Sequence, residues 1–509
     1  MLSKTWSVAL NGITPFIVET EVSIKGTEEN SAIYIVGLPD NTVRESKERI
    51  LCALKSSGIS FIKQIATISL APADVRKCGS SFDLPIAVSL FSCLTGMASK
   101  LLKDFIILGE LGLEGQLRPL RGAMAMALHA REQGFKHIIL PKSNASEASV
   151  IQGINVFGVE NLHQTIEFLS GRHKIEPTSC DVQKFFEEHH VHQDDFAHIK
   201  GHSMVKRGLE IAAAGGHNIL LIGPPGCGKS LMAKSFPSIL PRLSLEEALK
   251  VTQIYSIAGL LDHDTPIITK RPFRSPHHTV SDAGLLGGTS NPRPGEISLA
   301  HHGVLFLDEL PEFRRSTLEV MRQPLESGQV TISRATGTAV FPANIMLFAA
   351  MNPCPCGYHG STSRECRDSH SQVQRYRSKI SGPLLDRIDL HLEVSELSER
   401  ELTQSAQGES SQSIRKRVEK ARQIQEDRFQ SQGCNSDMRP EQLQSFCKLN
   451  PESLQIIKQA IKELQLSARA YDRILKLART IADLEESPEI QSYHLQEAIN
   501  YRVLDRKTW

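Results

Sequence analysis

The eight residues GPPGCGKS at positions 223–230 constrain this chain more than any other stretch. They follow an apolar run at 218–222, typical of a buried parallel strand, and precede residues 231–234, where a helix is expected to begin. In that context the spacing G-x-x-x-x-G-K-[ST] predicts a phosphate-binding loop, whose N–H groups surround the phosphates of a nucleotide. The predicted nucleotide-binding residues are Gly223, Pro224, Pro225, Gly226, Cys227, Gly228, Lys229, Ser230 and Leu231.

Polar residues at the ends of three later segments predict the rest of a hydrolytic site. Asp308 ends an apolar strand and, with the Ser230 hydroxyl, is expected to hold Mg²⁺, which leaves Glu309 to polarise the attacking water. Asn352 ends another apolar strand and is expected to position that water or contact the γ-phosphate. Arg387 lies on a short turn, from which it is expected to reach a neighbouring subunit's γ-phosphate.

This order of residues resembles that of AAA+ ATPases. Four peptides are more specific and resemble the magnesium-chelatase-like YifB/ComM family: PHHT at 276–279, PGEISLAH at 294–301, GVLFLDELPEF at 303–313 and GPLLDRIDL at 382–390. The resemblance covers nearly the whole chain. It implies a homo-hexameric ring that hydrolyses ATP with Mg²⁺ and drives DNA branch migration during recombination of transforming DNA, with recombination proteins as partners. Two alternatives stay open, a chelatase-type motor that remodels a protein partner and an ATP-fuelled protease.

Length and composition predict several domains and no membrane segment. The 509 residues suggest about three domains, and no uninterrupted apolar run is long enough to cross a bilayer. Ten cysteines scattered through the chain favour a reducing cytoplasm. The net charge of +1 means that any contact with DNA must come from a local patch.

The predicted fold class is α/β, in four segments. Residues 1–172 resemble a Lon-protease-like (ribosomal S5 domain 2-like) α+β domain, 173–195 form a linker, 196–393 form the AAA+ core, and 394–509 form a helical lid. Where the resembled proteases carry a serine and its lysine base, this chain has Ser81 and Met124. Methionine cannot take a proton, so we expect no protease activity and interpret Ser81 as a structural hydroxyl at a helix start.

Basic residues in the core predict a path for DNA. The long passage at 251–301 carries Lys270, Arg271 and Arg274, and in the resembled family it includes an insertion that faces the pore of the ring. Residues 329–341 alternate in polarity around 335–337, which predicts a β-hairpin with Arg334 near its tip. We expect these side chains to contact phosphates without reading bases, although a solvated hairpin is an open alternative.

Three further predictions concern metals and the lid. Cys354, Cys356 and Cys366 are zinc-ligand types at close spacing, with Asp368, His359 or His370 to complete four ligands; an ordinary reduced-cysteine loop is the alternative. The histidines at 189, 190 and 192 are interpreted as part of an exposed polar linker rather than a metal site. In the lid, Arg469 lies where related AAA+ proteins place a nucleotide-sensing arginine, and Arg473, one helical turn later, competes for that role.

Overall fold

The computed structural model describes residues 2–28, 30–97, 102–188, 194–262, 265–288, 292–334, 337–361, 364–398 and 408–502. It has a mixed α/β fold that contains parallel strands and ends in a helical carboxyl-terminal region, which confirms the predicted fold class. Within these ranges, no helix combines the length and the apolar character that crossing a membrane requires.

The amino-terminal part is built on a seven-stranded mixed sheet with the strand order β3-β4-β2-β1-β5-β8-β9. Its strands are β1 (Leu2–Asn11), β2 (Thr14–Gly26), β3 (Ala32–Val36), β4 (Gln64–Ala71), β5 (Phe105–Ile107), β8 (His137–Pro141) and β9 (Asn155–Val159), and β6 (Glu110–Leu111) pairs with β7 (Leu117–Arg118). The helices are α1 (Asn41–Ser56), α2 (Asp83–Thr95), α3 (Ala123–Glu132), α4 (Lys142–Ser149) and α5 (Leu162–Leu169). Apolar faces of α1 and α2 pack on one side of this sheet to form its core.

The segment predicted to be a linker contains a helix, α6 (Val182–Glu188). Val182, Phe185 and Phe186 have the i, i+3, i+4 spacing of a helix face, and they pack with the apolar residues around α3. The histidines at 189, 190 and 192 lie outside the described residues.

The central part contains a five-stranded sheet with the order β11-β12-β15-β10-β16, in which all neighbouring strands are parallel. These strands are β10 (Ile219–Ile222), β11 (Phe273–Arg274), β12 (Val304–Leu307), β15 (Met346–Met351) and β16 (Leu390–Glu393). The predicted hairpin forms as β13 (Gln329–Arg334) and β14 (Gly337–Pro342). The helices are α7 (Ser203–Gly215), α8 (Lys229–Ser235), α9 (Leu245–Ala258), α10 (Asp282–Leu286), α11 (Glu296–Leu299), α12 (Arg315–Val320), α13 (Arg322–Ser327), α14 (His370–Arg377) and α15 (Gly382–Leu385).

The carboxyl-terminal helices pack on α7 and on the amino ends of the central strands. They are α16 (Ser411–Phe429), α17 (Pro440–Phe446), α18 (Pro451–Leu464), α19 (Ala468–Leu484) and α20 (Ser492–Asn500). The last helix ends at Asn500, and Tyr501 follows it as the C-cap. Apolar residues of α16 and α19 share one core with α7 and β10, so this region is joined directly to the sheet.

The amino-terminal and central parts contact each other at several places, of which two involve glycines. The backbone N–H of Gly122, which precedes α3, donates to the carbonyl of Ser256 in α9 over 3.1 Å. At the β1–β2 turn, Gly12 lies so close to Ala339 of β14 that a Cβ on it would approach the Ala339 Cβ to 2.8 Å. The β1–β2 turn therefore packs against the middle of β14 in the hairpin.

Candidate nucleotide site

The phosphate loop follows β10 at the carboxyl edge of the central sheet and leads into α8. Gly226 and Gly228 have φ values of 81° and 87°, a conformation that side-chain-bearing residues rarely adopt. Because β12 and β15 run parallel to β10, Asp308 and Asn352 come out at the same edge. The structure therefore brings together the residues predicted at these three strand ends.

The side chain of Lys229 is buried against the phosphate loop. Its Nζ donates to the carbonyl oxygens of Gly223 and Pro224 over 2.6 and 2.8 Å, and to Oδ1 of Asn352 over 3.1 Å. Burial lowers the pKa of this lysine. The ammonium group of Lys229 thus links the loop after β10 to Asn352 at the end of β15. A phosphate oxygen that replaced the carbonyls of Gly223 and Pro224 would contact both the lysine and the amide.

Ser230 and Asp308 have the donor set of a magnesium site. The Ser230 hydroxyl donates to Oδ2 of Asp308 over 2.8 Å, and Oδ1 of Asp308 accepts the backbone N–H of Glu309 over 2.9 Å. Hydroxyl and carboxylate oxygens are hard ligands that fit Mg²⁺, which in nucleotide sites also binds phosphate oxygens. When bound, the ion would neutralise charge that develops on the transferred phosphoryl group.

Glu309 lies beside this pair in an unusual backbone conformation. Its φ is 53°, which is uncommon for a residue with a side chain and is typical of strained functional positions. The side chain is 57% exposed, and its Oε2 lies 3.7 Å from Nδ1 of His278. The sequence analysis did not assign His278 to this site. The strand register explains its position: Arg274 pairs with Leu305, and His278 and Glu309 each follow four residues later.

Arg387 lies at the opposite, amino edge of the same sheet, just before β16. Its guanidinium is largely buried, donates to the carbonyl of Pro383 over 2.6 Å, and forms an ion pair with Glu326. The hydrogen bond from Arg387 lowers the pKa of Glu326, and the charge of Arg469 adds to that effect. A four-residue strand spans about 13 Å, so Arg387 is remote from the phosphate loop of its own chain.

The two competing lid arginines are both on α19, on the amino side of the sheet. Arg473 forms an ion pair with Asp389, a buried carboxylate that begins the turn into β16. Arg469 is exposed and contributes to the field at Glu326. Arg387 and Arg469 thus both act on Glu326, whereas Arg473 pairs with Asp389 within its own chain.

Three cysteines and an aspartate form a compact cluster after β15. The sulfur atoms of Cys354, Cys356 and Cys366 lie 3.3, 3.7 and 3.6 Å apart, and one ligand atom of each of the four residues, Asp368 included, lies within 4.8 Å of the others. Tetrahedral zinc with bonds of about 2.3 Å would separate its sulfurs by about 3.8 Å, so the cluster fits zinc. The alternative fourth ligands, His359 and His370, are not part of this group.

The cysteine cluster is next to the phosphate loop. A Cβ placed on Gly357 would lie 2.6 Å from Cδ of Pro225, so the two loops pack with no room for a side chain between them. Gly357 also has a φ of 87°. A change in the shape of the cysteine loop would therefore reach the nucleotide site directly.

Two of the four residues predicted to contact DNA have partners within the chain. Arg271 donates to the carbonyls of Pro241 and His302 and pairs with Glu247 over 3.0 Å. Arg274 makes two hydrogen bonds with Glu296, of 2.6 and 2.7 Å. The fold brings carboxylates and carbonyls from other segments close to these two guanidinium groups. The arginines therefore link segments of the central part to one another.

The other two residues remain candidates for contacts with DNA. Lys270 is exposed, and Arg334 ends β13, where it pairs with Gly337 across the hairpin. Residues 335–336, at the expected tip, lie outside the described residues.

The protease-like positions do not form a nucleophile with a base. Met124 is fully buried in α3, whereas Ser81 lines a cavity of about 470 Å³ with Ser80, Glu110 and Met126. The helix-start interpretation of Ser81 was wrong in detail, because α2 is preceded by Phe82 and has no side-chain cap. Arg293, from the central part, enters the same cavity.

Known families and proteins match this chain over nearly its whole length. Three family models match the chain. The model described as magnesium chelatase, subunit ChlI, matches residues 195–402, and the model described as subunit ChlI of Mg-chelatase matches residues 18–144. The model of the ChlI carboxyl-terminal region matches residues 408–502. The uncharacterized protein YifB of Escherichia coli is 41% identical over 97% of this chain and 95% of its own length. The competence protein ComM of Haemophilus influenzae is 39% identical over 99% and 98%.

A shorter match is with the DNA repair protein RadA of Escherichia coli, 25% identical over 31% of this chain and 33% of its own length. The matches to YifB and ComM, by contrast, cover almost the full length of both partners. The chain belongs to the YifB/ComM family of magnesium-chelatase-like AAA+ proteins.

Proposed function

We propose that the protein is an ATP-dependent DNA motor that works as a homo-hexamer in the cytoplasm. It drives branch migration during recombination of incoming DNA in natural transformation, together with recombination proteins. One observation supports the proposed assembly. Lys229 and Glu309 lie at the carboxyl edge of the central sheet, whereas Arg387 lies at its amino edge, so one chain holds only part of the proposed hydrolytic site. A ring in which each carboxyl edge faces a neighbour's amino edge completes every site.

In this proposal each residue has a defined task. Lys229 binds the β- and γ-phosphates, Ser230 and Asp308 hold Mg²⁺, and Asn352 orients the γ-phosphate or the attacking water. Glu309 accepts a proton from that water as it attacks. Arg387 and Arg469 of the next subunit place positive charge on the transferred phosphoryl group, where negative charge is greatest in the transition state.

The proposal that DNA is the substrate rests on the relatives and on the hairpin. ComM has the printed name of a competence protein and RadA that of a DNA repair protein. The β13–β14 hairpin carries Arg334 and is contacted midway along β14, at Ala339, by Gly12 of the amino-terminal part. We assign residues 1–172 to a non-proteolytic brace, 173–195 to a linker, 196–393 to the ATPase core and 394–509 to the lid.

The test compares ATP hydrolysis without DNA, with duplex DNA and with forked DNA. Stimulation by DNA, and binding that weakens with salt but tolerates any base sequence, are expected of a motor that grips phosphates. Arg334→Ala should lower DNA-stimulated turnover and strand displacement. It should also reduce the slope of affinity against salt by about 1 for each phosphate that the protein no longer neutralises.

Lys136→Ala provides a matched control, because it removes an exposed cation from the amino-terminal part and should leave DNA stimulation unchanged. Branch migration at the wild-type rate by Arg334→Ala would move the DNA path away from the hairpin. If the intact protein binds no DNA at low salt with ATP present, the chelatase-type motor becomes the better hypothesis.

A further inference from the structure

Asn218 directly precedes β10, the strand that leads into the phosphate loop. Its side-chain Nδ2 donates to the backbone carbonyl of Arg387 over 2.8 Å, and its Oδ1 accepts the backbone N–H of Leu347 over 2.8 Å. Its own backbone N–H donates to Oδ2 of Asp389 over 2.9 Å, and its carbonyl accepts the N–H groups of Asp389 and Leu390 over 2.9 and 3.0 Å. One residue therefore ties together the beginnings of β10, β15 and β16.

The backbone of Arg387 is thus fixed more firmly than its charged end. The guanidinium donates to the carbonyl of Pro383 and pairs with Glu326, whose carboxylate is exposed. Nε of Arg387 is buried and has no hydrogen-bond partner in the described part of the chain. A buried donor without an acceptor is costly, so this placement of the guanidinium leaves it incompletely satisfied. The charged end can be redirected, whereas the point from which it reaches out is set by Asn218.

The carboxylate of Asp389 extends this cluster to the lid. It forms an ion pair with Arg473 of α19, and its Oδ2 lies 3.5 Å from Nδ1 of His217. Nε2 of His217 is in turn 2.9 Å from the hydroxyl of Thr480, also on α19. The segment that begins β10 is therefore packed between Arg387 and the lid.

The other end of β10 is held by the same neighbouring strands. All four residues of the strand are buried. Ile222 accepts the N–H of Val394 over 2.7 Å, and Gly223, the first residue of the phosphate loop, donates to the carbonyl of Met351 over 3.3 Å. A Cβ on Gly223 would approach the carbonyl oxygen of Val394 to 2.3 Å. A strand paired on both sides thus connects the phosphate loop to Asn218.

We propose that Asn218 is a positioning residue that couples the phosphate loop of its own subunit to Arg387, which acts on the neighbour's nucleotide. The inference rests on the proposed function for the place where Arg387 acts. A nucleotide that shifts the phosphate loop also shifts β10, and through Asn218 it shifts the backbone from which Arg387 extends. Because a displacement of about 1 Å can change a rate by about 10²-fold, occupancy of one site then sets the rate at the next.

The first test measures kcat and KM for ATP in purified full-length variants. Asn218→Ala should lower kcat about tenfold through misplacement of Arg387. KM should stay within about twofold of wild type, because Lys229, Ser230 and Asp308 keep their contacts. The Hill coefficient for ATP should fall toward one, and a wild type without cooperativity would overturn the coupling.

Asn218→Asp separates the two side-chain contacts of Asn218. The carboxylate keeps an acceptor for the N–H of Leu347 but has no donor for the carbonyl of Arg387. It should therefore show at least the loss of kcat seen in Asn218→Ala. Wild-type turnover in Asn218→Asp would overturn the positioning role.

Mixed rings show which active site Asn218 serves. Asn218→Ala subunits mixed with Glu309→Gln subunits should recover activity, because some interfaces combine an intact Glu309 with a well-placed Arg387. Mixed with Arg387→Ala subunits they should not recover, since no interface between the two variants has a working arginine. The reverse pattern would assign the effect to the subunit's own phosphate loop and overturn the inference.

A double variant separates failure of this inference from failure of the proposed function. If Arg387→Ala and Glu309→Gln subunits do not recover activity together, the arginine does not act between subunits and the proposed assembly fails. Adding Asn218→Ala to Arg387→Ala should still cause no further loss of kcat, because Asn218 acts through that arginine. Losses that multiply would overturn the positioning role in either case.

Asn144→Ala is the matched control. Its amide makes the same kind of double contact in the amino-terminal part, where it donates to the carbonyl of Leu120 over 2.9 Å and accepts its N–H over 2.8 Å. This variant should keep wild-type kcat and cooperativity. Equal losses of turnover in Asn144→Ala and Asn218→Ala, with equal losses of stability in denaturant titration, would reduce the effect to destabilisation and overturn the inference.

Discussion

The two edges of the central sheet differ in how they use their charges. At the carboxyl edge, Lys229 is satisfied by backbone carbonyls and an amide, and Ser230 by Asp308. At the amino edge, Arg387 and Arg473 are paired with the carboxylates of Glu326 and Asp389. The first arrangement can accept an anion, whereas in the second each cation already has a counter-charge, an exposed one at Glu326 and a buried one at Asp389.

In the proposed ring, this difference makes one subunit an incomplete enzyme. A nucleotide at the carboxyl edge can displace carbonyl oxygens from Lys229 within the same chain. Arg387 can reach a nucleotide only if it leaves Glu326, an exposed carboxylate, and only if the nucleotide belongs to another chain. If the proposed ring forms, catalysis depends on the contact between subunits, which links hydrolysis to assembly.

Among the variants that test this contrast between the edges, Arg387→Ala is expected to have the largest effect on ATP turnover. Loss of an arginine that acts on the γ-phosphate from a neighbour should reduce turnover by about 10³-fold or more. Mixing this variant with Glu309→Gln subunits should restore part of the activity, because some interfaces then combine an intact Glu309 with an intact Arg387. ATPase rates across mixing ratios give the measurement. Absence of recovery in rings that assemble normally would place Arg387 in its own subunit's chemistry or in none.

Glu309→Gln tests the carboxyl edge alone. The amide cannot accept a proton from water, so turnover should fall by about 10²-fold or more while ATP affinity is kept, since Ser230, Asp308 and Lys229 are untouched. Equilibrium binding of a fluorescent ATP analogue and steady-state hydrolysis separate the two properties. Unchanged hydrolysis would remove Glu309 from the role of base, and a failure to bind ATP would mean that it shapes the pocket instead.

Arg473→Ala and Arg469→Ala distinguish the two lid arginines at the amino edge. Removal of Arg473 leaves the buried carboxylate of Asp389 without its guanidinium. The free energy of unfolding should drop by about 2 kcal/mol, less than the ~3–5 kcal/mol of fully buried pairs because Arg473 is 23% exposed. Arg469→Ala should keep stability but lower turnover about tenfold. Denaturant titration and ATPase rates measure both, and the reverse pattern would make Arg473 the sensor.

The smallest expected effect concerns the cysteine cluster that packs on the phosphate loop. Purified protein should carry about one zinc ion per chain, and Cys354→Ser should abolish it and weaken ATP binding a few-fold through Gly357 and Pro225. Cys52→Ser, at an exposed position in α1, is the control and should retain the metal. Metal analysis that finds no zinc in protein prepared without chelators would leave a reduced structural loop.

Several features follow from the sequence because they depend on local order. The phosphate loop predicts its own strand and helix, and the apolar runs before Asp308 and Asn352 predict two more strands. Since parallel strands end at a common edge, spacing along the chain was enough to predict that these residues meet. The sulfur atoms of the cysteine cluster, within thirteen residues, are also close for local reasons.

Other features depend on contacts between distant segments. Arg271 and Arg274 look like free cations in the sequence, but Glu247 and Glu296, more than twenty residues away, take up their charges. The position of α19 at the amino edge, which separates Arg469 and Arg473 from their own phosphate loop, depends on the core that it shares with α7.

The groups that are expected to bind phosphate and magnesium could thus be identified from the amino-acid sequence, because strand ends and a loop of fixed length set their positions. Which charges are free could be learned only from the folded chain, since their partners come from segments distant in the sequence. The same is true of the His278–Glu309 contact, which depends on a ladder of two paired residues that no periodicity predicts. Long-range packing, not local propensity, therefore separates the edge of the sheet that is expected to bind nucleotide from the edge that is proposed to act on a neighbour.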